Sequence, residues 1–212
     1  MIITISRQFG AGGSEVARAV ATELGWSLVD NQLIDEVAAR AGLARDEVAQ
    51  HDERAPGFAE RLARTLATSV PEFVAPEGGI LPDPTEENLV KVTETVVADL
   101  AAQGQVVMVG RAAPAVLATH PDALHVQLVA PKPFRIARAA ERLGVDPHQA
   151  EKILDDTDGN RARYLRKYYK RDWRDPANYH IVLNTEALGL DGAAEVIVGR
   201  ARRTWMKAAS RP

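Results

Sequence analysis

The first seventeen residues, MIITISRQFGAGGSEVA, constrain the chain more than any other stretch. Residues 2–6 form an apolar, β-branched run that reads as a short buried strand, and the run ends in a turn with glycines at 10, 12 and 13. Val16, Val20 and Leu24 then recur at helical spacing before Gly25, which reads as a helix stop. In a strand, glycine turn and helix of this kind, backbone amides and the positive end of the helix dipole converge on one point, so the turn predicts an anion site. The phosphate-loop pattern G-x-x-x-x-G-K-[ST] fits in part. With Ser14 on its last position Gly12 takes the second glycine, but Arg7 and Gly13 stand where the first glycine and the lysine belong.

Two other readings of the turn compete. Gly10-x-Gly12 followed by Asp30 at the end of the next strand resembles a dinucleotide fingerprint, but position 15 is Glu and the third strand comes far too late for a compact β-α-β-α-β unit. A plain strand-to-helix turn is the other.

The rest of the chain alternates in the same way. Strands are predicted over residues 26–30, 105–109, 124–129 and 180–184. Helices are predicted over 33–41 and 58–69, from a cap at Thr85 to a stop at Gly104, over 134–143, from the Asp146–Pro147 start, and from a cap at Asp191 to the tail. Between them, residues 71–84 carry four prolines and two glycines and read as a loop. Five strands separated by helices imply a parallel sheet covered on both faces. The stretch between strands two and three is mostly helical and predicts a lobe near the mouth of the sheet.

Composition closes several function classes. The chain has no cysteine, which excludes disulfides, thiolate metal sites and a catalytic thiol, and agrees with a cytoplasmic location. No leader pattern opens it, and no uncharged apolar run approaches the ~18 residues of a membrane span. A net charge of −3 argues against a chain that coats nucleic acid. The basic, aromatic segment RARYLRKYYKRDWR (residues 161–174) reads as helix packing with charge on its outer side rather than as a base-stacking surface. The five histidines show no metal-ligand spacing.

In order along the chain, ISRQFGAGGSEVA, LVDNQLIDEVA, VVMVGRAA, DTDGNRARYLRKYY and DPANYHIVLNT resemble the cytidylate kinase-like family of P-loop nucleoside monophosphate kinases. The resemblance runs from residue 2 to about residue 198. It implies an α/β, three-layer P-loop NTPase fold with a five-stranded parallel sheet in order 2-3-1-4-5, a core of 1–30, 86–130 and 175–212, a helical acceptor-lobe insertion over about 31–85, and a helical lid over about 131–174. It also implies ATP and Mg2+ as cofactors and small-molecule nucleotides as partners; a homodimer is one possible assembly.

Site residues follow from the same resemblance. Gly10, Ala11, Gly12, Gly13 and Ser14 would cradle the donor nucleotide, with Ser14 as the Mg2+ ligand alongside the phosphates. Arg7, beside the loop and permanently charged, is the candidate to replace the missing lysine. Arg135, Arg138 and Arg142 share a helix face, and Arg138 and Arg142 are expected at the donor phosphates as catalytic groups. Asp30, Arg111, Asp158 and Arg161 are expected on the acceptor side, although Val109 and Ala112 flank the Gly110–Arg111 turn where relatives commonly carry carboxylates. The implied reaction is phosphoryl transfer to CMP or dCMP. A nucleotide-binding regulator with little turnover and a kinase of another small acceptor stay open as alternatives.

Overall fold

The computed structural model describes residues 1–30, 86–110 and 112–209. The chain divides into two compact units, residues 1–30 with 97–212 and residues 31–96. The helices expected over 33–41 and 58–69, the loop 71–84 and the Thr85 cap lie outside the described residues. The described elements run β1 (Ile2–Arg7), α1 (Gly13–Leu24), β2 (Ser27–Val29), α2 (Glu86–Gln103), β3 (Val106–Val109), α3 (Ala113–Val116), β4 (Ala123–Val129), α4 (Lys132–Leu143), α5 (Pro147–Tyr169), a 3-10 turn (Pro176–Asn178), β5 (Ile181–Asn184) and α6 (Thr185–Ala209).

All five strands are parallel and lie in the order β2-β3-β1-β4-β5, the order the family resemblance implied. β1 is the middle strand, and every one of its residues is buried. A strand flanked by sheet on both edges and by helices on both faces has no solvent side, so its sequence shows no polar alternation. On one face Ile3, Ile5, Val107, Val126 and Leu128 pack with Val16 and Val20 of α1 and with Ile197 of α6. On the other, Ile2, Val106 and Met108 pack with Val97 and Ala101 of α2 and with Leu117. A third cluster joins Phe9, Ala139, Ala150 and Leu154, so the α4–α5 pair is packed on the residue that opens the glycine turn.

Two element boundaries depart from expectation for physical reasons. β1 continues through Arg7, which pairs in register with Leu128. The last helix begins at Thr185 rather than at Asp191, because the Asn184 side-chain oxygen accepts the amides of Glu186 and Ala187 (3.0 and 3.3 Å) and caps an earlier turn. The helical run then breaks at Gly189, at φ 70° and ψ 167°, before continuing. The Asp146–Pro147 start behaves as expected: the Asp146 side chain accepts the Gln149 amide at 2.9 Å. Among the described residues, no helix is long and apolar enough to cross a membrane.

Candidate active site

The parallel sheet places Arg7, Asp30, Gly110 and Ala130 at the carboxyl ends of their strands, the edge where ligands of open α/β sheets bind. The turn after β1 lies at the centre of that edge. Gly10 and Gly12 both sit at φ 79°, a conformation that only glycine adopts without strain. A Cβ on Gly10 would stand 2.5 Å from the Arg135 carbonyl oxygen, and one on Gly12 would strike the Leu190 side chain. Gly12 is the N-cap of α1 and has no side chain to cap it. The first-turn amides of α1 are therefore left for a ligand or solvent.

Gly13 is different, because its backbone is ordinary and its constraint is steric. A Cβ there would stand 2.5 Å from Cγ of Arg7, 3.0 Å from its Cβ and 3.2 Å from its Cδ. The aliphatic stem of Arg7 thus occupies the space through which a side chain on residue 13 would leave the backbone. The residue that the phosphate-loop pattern writes as lysine is glycine here, and an arginine from the adjoining strand fills its place.

The entry to the turn is held from α4 and α5. Asp158 accepts the Phe9 amide at 2.8 Å and the Arg135 guanidinium at 2.8 Å, on different carboxylate oxygens. Arg135 also donates to the Phe9 carbonyl at 3.1 Å and to the Ala130 carbonyl at 2.9 Å. Arg161 donates to the Arg7 carbonyl at 3.1 Å and to Asp158 at 3.3 Å. All three side chains are buried. Gln8 completes the frame: its amide donates to the Leu128 carbonyl and its side-chain oxygen accepts the Ala130 amide.

The other expected residues fall at different depths. Ser14 is half-buried in the first turn of α1. Arg138 pairs with Glu15 at 2.9 Å in a partly exposed contact. Arg142 is exposed, with its guanidinium 5.0 Å from the centre of the Phe9 ring. Asp30 is buried directly after β2. Arg111 lies outside the described residues, but both neighbours, Gly110 at φ 78° and Ala112 at φ 50°, hold left-handed backbone. Ala112 in that region is strained, as residues at functional turns often are.

Arg135 and Gln8 were not among the expected site residues. Arg135 is one helical turn from the fully buried Ala139, and that spacing is the signal that separates it from Arg138. Gln8 carries no comparable sequence signal. The basic segment is helical through Tyr169, where Tyr164 lies 5.0 Å from Tyr168, and beyond the helix Trp173 is buried with its indole N–H donating to Ser6 at 2.8 Å.

The residues fit the groups the fold implies. Two left-handed glycines, an uncapped helix start and a residue 13 without a side chain make a cradle for a polyphosphate. Among the described residues there is no group of three or more His, Cys, Asp or Glu side chains placed to hold a metal.

No curated protein matches the chain. Solved structures do. A protein from Eubacterium ventriosum ATCC 27560, described as uncharacterized, is 23% identical over 95% of this chain and 98% of its own, with a TM-score of 0.60. A gluconokinase from Sinorhizobium meliloti 1021 is 15% identical over 97% and 96%, with a TM-score of 0.53. A shikimate kinase from Bacteroides thetaiotaomicron is 14% identical over 97% and 98%, with a TM-score of 0.52. These likenesses establish the shared fold. The sequence itself matches one family over residues 2–187, which spans the strand, the glycine turn, the Gly110 turn and the α4–α5 pair just described. The chain belongs to the cytidylate kinase-like family.

Proposed function

We propose that this protein is a magnesium-dependent kinase that moves the γ-phosphoryl group of ATP to a nucleoside monophosphate, CMP or dCMP in the simplest case. The observation that carries the reading is the seat of Arg7: the loop lacks its lysine, yet an arginine stem fills the lysine's exit path at Gly13. Phosphoryl transfer asks the protein for positioning and positive charge over the transferring group and for little covalent chemistry. In this reading the amides of Gly10, Ala11, Gly12 and Gly13 cradle the donor phosphates, and Arg7 adds the charge that residue 13 does not. Arg138 and Arg142 approach the transferring group, with Arg138 exchanging Glu15 for phosphate oxygens. Arg111, Arg161 and Asp30 serve the acceptor side.

Ser14 would hold magnesium together with the phosphates, and magnesium there would neutralise charge on the donor oxygens. An acceptor phosphate oxygen attacks the γ-phosphorus, the bond to the bridging β-oxygen breaks, and ADP leaves. No side-chain base is required, because the acceptor phosphate is already ionised.

The test is ADP formation by the purified protein with ATP-Mg, across a panel of nucleoside monophosphates and with shikimate and gluconate as other acceptors. Turnover stimulated by CMP or dCMP supports the reading, and an acceptor-independent background across the nucleotide panel overturns it. A second reading, a nucleotide-binding regulator, draws on Val109 and Ala112 beside Arg111. It predicts ATP binding without ADP formation in every arm of the panel.

A further inference from the structure

The carboxylate of Asp158 is spent within the protein. One oxygen accepts the Phe9 amide and Arg161, and the other accepts Arg135. The two arginines then bond to the loop entry themselves, Arg135 to the Phe9 carbonyl and Arg161 to the Arg7 carbonyl. Three links thus join α5 and α4 to Arg7 and Phe9 just before Gly10, and Gly10 itself has no room for a Cβ because the Arg135 backbone lies against it.

We infer that Asp158 is a positioning residue for the donor phosphates: it sets the Phe9 peptide, and through it the direction in which the glycine amides of the turn point. The α4–α5 pair is therefore attached to the loop at its base.

The inference rests on the loop as the donor site, and the two claims can be separated. The experiment compares wild type, Asp158→Asn and the milder Arg135→Lys by amide hydrogen exchange without ligand and by calorimetric titration with ATP-Mg. Ile197→Ala, in α6 where it packs in the core against the sheet, controls for general loss of stability. Asp158→Asn should speed exchange at the Phe9, Ala11 and Gly12 amides by about tenfold or more and weaken ATP-Mg affinity by about tenfold, the scale of a charge-assisted bond. Arg135→Lys should show the same pattern at smaller amplitude, and Ile197→Ala should leave ATP affinity unchanged at a temperature where it is folded. Unchanged loop exchange and unchanged affinity in folded Asp158→Asn or Arg135→Lys overturn the inference, as does an equal loss in Ile197→Ala. Failure of wild type to bind ATP-Mg overturns the donor reading instead, and the exchange data still decide the positioning role.

Discussion

Arg135 and Arg138 stand one turn apart on α4 and carry the same charge, yet their surroundings are opposite. Arg135 is buried against Asp158 and two backbone carbonyls. Arg138 is about one-third exposed and touches Glu15 across a partly solvated gap. Charge removed from water is stable only when fully partnered, so the Arg135 cluster is committed to one geometry. A solvated pair gains little from its partner and can exchange it for a stronger anion at low cost. One helix therefore supplies both a fixed anchor for the loop and a guanidinium able to turn to a ligand.

The largest effect should come from breaking the committed side of the comparison. Arg135→Ala leaves the Asp158 carboxylate buried with one partner fewer and should cost about 3–5 kcal/mol of stability, measured by urea denaturation. A cost under about 1 kcal/mol, the scale of an exposed pair, would erase the distinction.

A buried imidazole offers a contrasting solution, which is to stay neutral. His125 shares a hydrogen bond with Thr4 at 2.8 Å, contacts the Leu117 carbonyl and stacks on His180. Burial first, then His180, lowers its pKa from 6.5 to about 4, against the opposing pull of the Leu117 carbonyl. The unfolded chain takes up this proton near its ordinary pKa while the folded chain refuses it until about 4, so stability is complete above the unfolded value and falls as the pH drops through that window. The loss is on the order of 3 kcal/mol, and His125→Gln should flatten the acid limb of the urea midpoint against pH. An acid limb identical in the variant would show that this imidazole takes up its proton as readily in the fold as in the unfolded chain.

At the small end, Arg138→Ala should change stability by no more than about 1 kcal/mol. It should nonetheless lower kcat with CMP, and Glu15→Gln, which releases Arg138, should not. Equal losses of kcat in both would mean that the pair acts as a unit rather than as an arginine with a temporary partner.

Much of the fold was legible in the sequence because it rests on local signals. The β-branched runs, the glycine stops at Gly25 and Gly104 and the Asp146–Pro147 start all mark element ends through their own backbone preferences. The strand order came from motif order and not from any local pattern. The candidate site was legible as a glycine turn with arginines around it, but the parts those arginines play were not. Arg135, Arg138 and Arg142 share a helical face, and distant partners set their depth: Asp158 and the Phe9 and Ala130 carbonyls bury Arg135, while Arg138 meets Glu15 and Arg142 lies exposed over the Phe9 ring. The same holds for Gly13, whose missing side chain is explained by the Arg7 stem lying across it. Asn184 in place of Asp191 as the first cap was also missed, because both residues suit a cap and the strand end decides between them.

The exchange between residues 7 and 13 is the most direct test of the account. ATP-Mg affinity should be measured by calorimetry for wild type, Arg7→Ala, Gly13→Lys and the double variant. Arg7→Ala should weaken binding by roughly 10- to 150-fold, the worth of one charge-assisted phosphate contact. Gly13→Lys alone should also weaken it, because its stem meets Arg7, and the double variant should recover most of the loss by returning the cation to the loop. Wild-type affinity in Arg7→Ala, or a folded double variant that binds no better than Arg7→Ala, would contradict the account.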